Sequence, residues 1–287
     1  PTSTDNIMIG YDAGGGTWAN NDSNYNVGIG NYVMDAAMDG ALGNTSMGYR
    51  ALQQVTTGDY NTAIGHEAGN DIVSGHNNVL IGNNAGDKSS AGGYLVVIGD
   101  NAGGADITAA ADGMVLIGAS AGAAITTGAR NLAVGYQAMD ALQAGNDNIA
   151  IGYGAIGAAN NSAFDKNIAI GNYALDTAAN HACASNIAIG WSALTAINDS
   201  AADNNIAIGT SAGDSITDGL SNTVIGSGAD TDGGSASGQI VIGAGAIGMG
   251  DNRVNLGAAT ITDVHFAQDS GARFTIGTGG AVTMVNQ

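Results

Sequence analysis

The sequence predicts an all-β fold, a β-solenoid of about fifteen coils, and a repeated segment is the main evidence for it. Segments of the type Asn-Ile-Ala-Ile-Gly, followed three residues later by alanine, recur at gaps of mostly 17 or 19 residues. This fixed period is typical of stacked repeats, in which each unit buries its apolar face against its neighbours. The marker glycines are Gly10, Gly30, Gly48, Gly65, Gly82, Gly99, Gly118, Gly135, Gly152, Gly171, Gly190, Gly209, Gly226 and Gly243, with a degenerate copy at Gly257.

Composition is the second observation behind this fold class. The 287 residues include 48 glycines but only one proline, and only 5% aromatic residues, too few large side chains for a conventional core. Fifteen coils stacked at about 4.8 Å would form a rod roughly 70 Å long. No membrane span is predicted, and the single cysteine, Cys183, excludes an intramolecular disulfide. The net charge of −19 argues against nucleic acid or an anionic membrane as partner.

The residues before each glycine predict a short strand. The third residue before it is usually β-branched, as in Ile168 and Ile187, and the residue directly before it is almost always isoleucine. Because positions two apart on a strand share a face, we expect these two columns to fill the interior of each coil.

The column between them carries no charge, which suggests that a second face of the strand is covered as well. We therefore expect it to form the contact between copies in a homo-oligomer, with a threefold arrangement preferred. The residues assigned to this interface are Ala63, Leu80, Val97, Leu116, Ala133, Ala150, Ala169, Ala188, Ala207, Val224 and Val241.

The remaining repeat positions predict turns and loops. Asparagine stands four residues before the glycine in eleven copies, from Asn6 to Asn222, where stacked amides can form a ladder between coils. A second short strand is expected after the alanine, at positions such as Leu52 and Leu175. Residues 1–257 form the predicted repeat domain, and residues 258–287, which depart from the pattern, a C-terminal cap or neck.

The segments Asn167–Ala174 and Asn186–Ala193 resemble the head repeats of YadA-like trimeric autotransporter adhesins, and equally the repeats of some bacteriophage tail and head fibres. The resemblance covers roughly residues 6–257. It implies a left-handed parallel β-roll, three chains side by side, and a role in surface attachment. Adhesin repeats are usually shorter than these units, which favours the phage-fibre variety.

Several apparent catalytic motifs arise from the repeat itself. Ser120 and Ser211 lie in Gly-x-Ser-x-Gly patterns, and the runs 152–157 and 243–248 match Gly-x-Gly-x-x-Gly, but no helical period follows any of them. We therefore expect no enzyme and no cofactor. Asp230 and Asp232 resemble part of a calcium loop, so a weakly bound loop cation such as calcium stays open.

Aromatic residues directly after the repeat glycines are the candidates for surface binding: Tyr11, Tyr49, Tyr136, Tyr153 and Trp191. Facing outward, they would offer flat surfaces to sugar rings or proteins. Facing inward, they would fill the ends of the coils, which is the interpretation we favour.

Two functions remain open at this point. The first is a structural or adhesive fibre on a virion, such as a phage tail or head fibre, that contacts a host receptor or glycan or spaces a distal tip. The alternative is the head of a bacterial trimeric autotransporter adhesin that binds host matrix or cells. Either role places the chain on a virion surface or an extracellular cell surface.

Overall fold

The computed structural model describes residues 3–18, 21–159, 164–176, 182–199 and 201–259, and these residues form one parallel β-solenoid of about 14 turns without a helix. The predicted cap or neck, residues 258–287, lies outside the described residues from residue 260 onward. The strands, each of three residues, are β1 Ile7–Ile9, β2 Val27–Ile29, β3 Thr45–Met47, β4 Thr62–Ile64, β5 Val79–Ile81, β6 Val96–Ile98, β7 Val115–Ile117, β8 Leu132–Val134, β9 Ile149–Ile151, β10 Ile168–Ile170, β11 Ile187–Ile189, β12 Ile206–Ile208, β13 Thr223–Ile225, β14 Ile240–Ile242 and β15 Val254–Leu256.

The fifteen strands form a single sheet in sequence order, and each strand pairs in parallel with the next. Equivalent repeat positions face each other in the register, as in Ala169 opposite Ala188 and Ile170 opposite Ile189. Each repeat unit is therefore one complete coil, which confirms the predicted solenoid.

The prediction of a second strand in each coil is wrong for the described residues. The fourth residue after the glycine lies in a turn with left-handed backbone geometry, with φ of 50° at Leu52 and 51° at Leu175. Backbone hydrogen bonds still join these turns, such as Leu52 N to Ala68 O at 3.1 Å. A left-handed residue interrupts the strand geometry, so only one strand forms per coil.

The predicted directions of the strand side chains are also wrong. The middle residue of each strand points into the coil, and the two flanking residues point outward. The residues assigned above to an interface between copies are 0% exposed within a single chain, so their side chains are not available at its surface: Ala63, Leu80, Val97, Leu116, Ala133, Ala150, Ala169, Ala188, Ala207, Val224 and Val241.

The narrow interior of the coil explains this orientation. Where the middle strand residue is alanine, as at Ala169, the buried turn residue four after the glycine is usually large, as at Leu175. Where it is leucine, as at Leu116, the turn residue is a glycine, and a Cβ on Gly122 would lie 2.7 Å from Leu116 Cδ2. The two columns therefore share one small volume, and the bulky isoleucines can only lie outside.

The predicted asparagine ladder is confirmed. Asn44 is fully buried, and its Oδ1 accepts hydrogen bonds from the backbone N of Asn61 at 2.9 Å and from Asn61 Nδ2 at 3.0 Å. Its Nδ2 donates to the Gly58 carbonyl at 2.8 Å. Equivalent bonds recur from Asn131 to Asn222, so the asparagine side chain of each coil that carries one satisfies buried backbone groups that the sheet leaves unpaired.

The repeat glycine is fixed by the stacking distance. Gly118 has φ of 132°, and an added Cβ would lie 2.4 Å from the carbonyl oxygen of Gly135 in the next coil. A side chain there would overlap the neighbouring backbone, which explains why every coil carries glycine at this position.

Candidate functional site

The outward strand residues form a continuous apolar stripe, defined here as the first and third residues of β1–β15. Both columns of the stripe are charge-free, and neither contains a buried side chain in the single chain. Some of these side chains are widely exposed, such as Ile9 at 58% and Met47 at 50%. Soluble monomers rarely expose apolar patches beyond a few hundred Å², so the stripe is a candidate contact surface.

The glycine edge, defined as the first two residues after each repeat glycine, carries the predicted aromatic candidates. All five are exposed, so the favoured interpretation as coil-end fillers is wrong. Their exposed fractions range from 37% to 68% for Tyr11, Tyr49, Tyr136, Tyr153 and Trp191. The bend at the glycine turns this edge away from the coil interior.

The rings on this edge are organised into two groups. In the first, Tyr11 and Tyr32 have centroids 5.4 Å apart, Tyr32 and Tyr49 follow at 5.9 Å, and Tyr49 stacks on His66 at 5.2 Å. The Arg50 guanidinium lies 5.1 Å from the Tyr49 centroid. These are favourable aromatic and cation–π geometries, so the first four coils present a pre-ordered aromatic surface.

The second group lies in the middle of the rod. Tyr136 stacks on Tyr153 with centroids 5.5 Å apart, and Tyr153 meets Tyr173 edge-on at 4.9 Å. A hydrogen bond with the Tyr153 hydroxyl raises the pKa of the Tyr173 hydroxyl. A cleft of about 250 Å³ opens beside these two rings, with Asp140 and Asp176 among its lining residues.

Sequence reasoning missed aromatic residues on the opposite edge of the sheet. Tyr25, Tyr60 and Tyr94 each lie five residues before a repeat glycine and are 59% to 65% exposed. The Tyr94 ring packs edge-on against His76 with centroids 5.1 Å apart. Their common repeat position was the signal that could have identified them. Asp140 and Asp176 were not identified from the sequence either, because a shared cleft depends on contacts between coils.

The apparent catalytic motifs lie within the repeat geometry. Ser120 and Ser211 occupy left-handed turn positions after β7 and β12, with φ of 55° and 48°, and no described helix follows either of them. Burial raises the pKa of the Cys183 thiol to about 12, with nearby Asp203 and Asp199 adding to the shift. The serines of these motifs therefore lie in turns of the repeat, and the Cys183 thiol stays protonated at neutral pH.

The Asp230 and Asp232 carboxylates accept hydrogen bonds from their own loop and from the preceding coil. Asp230 accepts from the backbone of Thr231 and Ser215, and Asp232 from Gln239. Within the ranges described, no group of three or more His, Cys, Asp or Glu side chains is arranged to hold a metal ion. The loop cation stays a prediction.

A buried polar cluster lies in the coil of His66 and in the coil that follows it. One side-chain oxygen each of Asn70, Asn84 and Asp87 is buried and has no hydrogen-bond partner among the described residues. Burial raises the pKa of the Asp87 carboxyl, Lys88 opposes this, and Asp71 and Glu67 add to it. Ionisation of the Asp87 carboxyl at neutral pH therefore lowers the stability of the folded state.

Comparison with protein-family models and with curated proteins found no match to the chain. Across the described residues, no helix is long and apolar enough to cross a bilayer.

Proposed function

We propose that this chain is a segment of a structural and adhesive fibre, in which three copies of a left-handed β-roll associate side by side along the apolar stripe. One observation carries the proposal: through all fifteen strands the stripe is uncharged and has no buried side chain in the single chain, although the chain carries a net charge of −19. Charge has been kept off one long surface, as expected for a surface that is covered in the assembled protein.

The size of the stripe supports association. Fifteen strands spaced about 4.8 Å apart make it roughly 67 Å long, and the two outward columns make it about 10 Å wide. The resulting area of roughly 700 Å² approaches the ~800 Å² that each partner contributes to a standard interface. Such an area is large enough for a stable contact between elongated chains.

A second copy of the same chain is the partner that best fits this surface. Its stripe has the same spacing between layers and the same lack of charge, so side chains such as Ile170 and Ile189 can interdigitate layer by layer. Homo-oligomers also tend to close with rotational symmetry. The resemblance to trimeric adhesin heads and phage fibres favours three copies around one axis.

The exposed edges support a role in attachment. With the stripe covered at the axis, the two aromatic groups on the glycine edge and the tyrosines of the opposite edge flank the contact surface. Aromatic rings held at fixed spacing suit sugar rings and protein surfaces. We favour a phage tail or head fibre on a virion, and the adhesin head on a cell surface is the second candidate.

An attachment assay tests this function and separates the two candidates. The labelled full chain is incubated with a panel of bacterial strains and with immobilised matrix proteins. Strain-dependent binding to bacteria supports the phage fibre, and binding to matrix proteins or host cells supports the adhesin head. Absence of binding to every surface in the panel would contradict an attachment role and leave a spacer.

A Tyr136→Ala/Tyr153→Ala variant locates the attachment surface, and Tyr60→Ala/Tyr94→Ala, on the opposite edge, is its matched control. Each exposed ring contributes about 1 kcal/mol or less to contacts of this kind, so each pair should change affinity by about tenfold if it is used. If only one of the two double variants loses affinity, attachment is assigned to the edge that carries its tyrosines.

A further inference from the structure

The cleft beside Tyr153 and Tyr173 is produced by one coil that lacks two side chains. Most coils carry a side chain at the second and fifth positions after the repeat glycine, but in the coil of β9 both are glycine, Gly154 and Gly157. The adjacent coils keep theirs, and they line the cleft: Gln137, Asp140, Tyr173 and Asp176. The Gly-x-Gly-x-x-Gly run at 152–157 therefore opens a notch one coil deep, with no helix involved.

Two carboxylates converge over the floor of the notch. A Cβ placed on Gly157 would lie 3.0 Å from Asp176 Oδ1 and 3.5 Å from Asp140 Oδ1, with the Gly154 carbonyl oxygen at 3.1 Å. Three oxygens thus surround one point that the glycine leaves free. No ion pair joins either carboxylate to a basic side chain among the described residues.

The two carboxylates repel each other and are partly removed from water. Burial raises the pKa of both carboxyls, backbone N–H groups that donate to each carboxylate offset part of this, and the proximity of Asp140 adds to the rise at Asp176. A cation between them would relieve the repulsion and replace the lost hydration, whereas a neutral sugar hydroxyl would supply hydrogen bonds without charge compensation. The carboxylates therefore favour a positively charged ligand.

The tyrosines define what kind of cation fits. The Tyr173 ring lies beside Gly154, whose added Cβ would be 3.3 Å from Tyr173 Cδ1. Ca²⁺ prefers six to eight oxygen ligands, and two carboxylates with one carbonyl supply few of them. An aromatic wall instead suits an organic cation through cation–π attraction and through contact with its apolar body.

We propose that this cleft binds an organic ammonium group carried on a small ring or alkyl body, as in a non-acetylated amino sugar or a lysine side chain. A volume of about 250 Å³ is below the ~300–1,000 Å³ of drug-sized pockets, and it suits a group the size of a monosaccharide. The site names a ligand class for the attachment edge proposed above and, in that sense, rests on that function.

Calorimetry with free oligosaccharides tests the site separately from attachment to cells. The probes are a chitosan tetramer, which carries amines, a chitin tetramer, in which the amines are acetylated, tetralysine, and Ca²⁺ alone. We expect the chitosan tetramer to bind at least about fivefold more tightly than the chitin tetramer, since a cation–π contact and a partly exposed ion pair each contribute about 0.5–1 kcal/mol. If the chitosan tetramer binds more tightly than tetralysine, the ligand is assigned to a glycan. If tetralysine binds more tightly, it is assigned to a peptide amine.

Gly157→Ala is the decisive variant, because its methyl group would fill the floor of the notch and its backbone needs no left-handed geometry. Gly104→Ala is its matched control, at the same repeat position in the coil of β6. Asp140→Asn and Asp176→Asn remove one charge each, and Asp100→Asn, on the glycine edge outside the cleft, controls for the loss of one charge. Circular dichroism of each variant verifies that the fold is intact.

Chitosan binding weakened by about two- to fivefold in D140N and D176N and at least as much in G157A, with wild-type affinity kept in G104A and D100N, supports the site. Equal binding of chitosan and chitin, displacement of chitosan by Ca²⁺ at equal concentration, or no binding by the wild type would overturn it. If the wild type still attaches to cells in those cases, the proposed function stands and only the ammonium site is lost.

Discussion

Removal of one amide from the asparagine ladder should loosen the solenoid locally, and Asn44→Ala is the clearest case. The Asn44 side chain is fully buried and bonds to both adjacent coils. Its loss would leave two buried backbone groups without a partner, the Gly58 carbonyl and the Asn61 N–H. Each such group costs about 1–3 kcal/mol, so we expect a local loss of about 2–6 kcal/mol.

Native-state hydrogen exchange is the suitable assay, because a stacked repeat need not unfold in one step. A loss of about 2 kcal/mol corresponds to roughly thirtyfold faster exchange for amides that open with this region. We therefore expect exchange at Asn61 and in β3 and β4 to accelerate at least about thirtyfold in Asn44→Ala, while strands beyond β9 stay unchanged.

Asn83→Ala is the control, since Asn83 is exposed and its Nδ2 bonds only to the surface carboxylate of Asp100. This variant should change exchange by less than about threefold. If Asn44→Ala behaved like Asn83→Ala, the ladder would contribute little to the stacking, and the account of the buried asparagines would be refuted.

Three further variants and reagents test other features of the coil. Gly118→Ala should lower the free energy of unfolding by about 3 kcal/mol or more in denaturant, because its Cβ would overlap the Gly135 carbonyl. Gly233→Ala should be nearly neutral, because no atom of the described residues lies within 4 Å of its Cβ. Equal stability of the two variants would contradict the close approach of Gly118 to the next coil. The Cys183 thiol has a pKa of about 12 against an ordinary 9.0, so at pH 8 it should form roughly 1,000-fold less thiolate than an exposed cysteine. A disulfide reagent should therefore react with it only after denaturant is added. Rapid labelling of the native protein would contradict its burial. Because the folded-state pKa of Asp87 is raised above 3.8, the folded state binds this proton more tightly, and the stability it confers grows as the pH falls towards 3.8. Asp87→Asn should therefore raise the thermal midpoint at pH 7 and have little effect near pH 4, and a midpoint lowered equally at both pH values would argue against this reasoning.

The sequence was sufficient for the fold class and for the asparagine ladder, because both follow from a spacing that repeats many times. The direction of the strand side chains was predicted wrongly, since alternation on a three-residue strand gives two faces without telling which is inside. The deciding signal was available in the pairing of Ala169 with Leu175 and of Leu116 with Gly122. Residues whose volumes compensate each other within one coil share its interior.

The candidate site was less predictable for a different reason. The exposure of Tyr11 and Trp191 depends on the bend at the repeat glycine, which breaks the alternation of a strand. The cleft at Gly157 depends on side chains from three successive coils, including Asp140 and Asp176, and only the stacking register brings these together. The residues at one repeat position, taken alone, show neither the bend at the glycine nor the contacts between coils.

The mass of the protein in solution is the most direct test of whether the outward isoleucines form the contact between copies. Light scattering after size-exclusion chromatography should give about 84 kDa for the wild type, three times the 28.0 kDa of one chain. An Ile170→Asp/Ile189→Asp variant should elute as a folded monomer, because it places charge on the apolar stripe and leaves the coil interior intact. A monomeric wild type, or a variant that stays at 84 kDa, would contradict the claim.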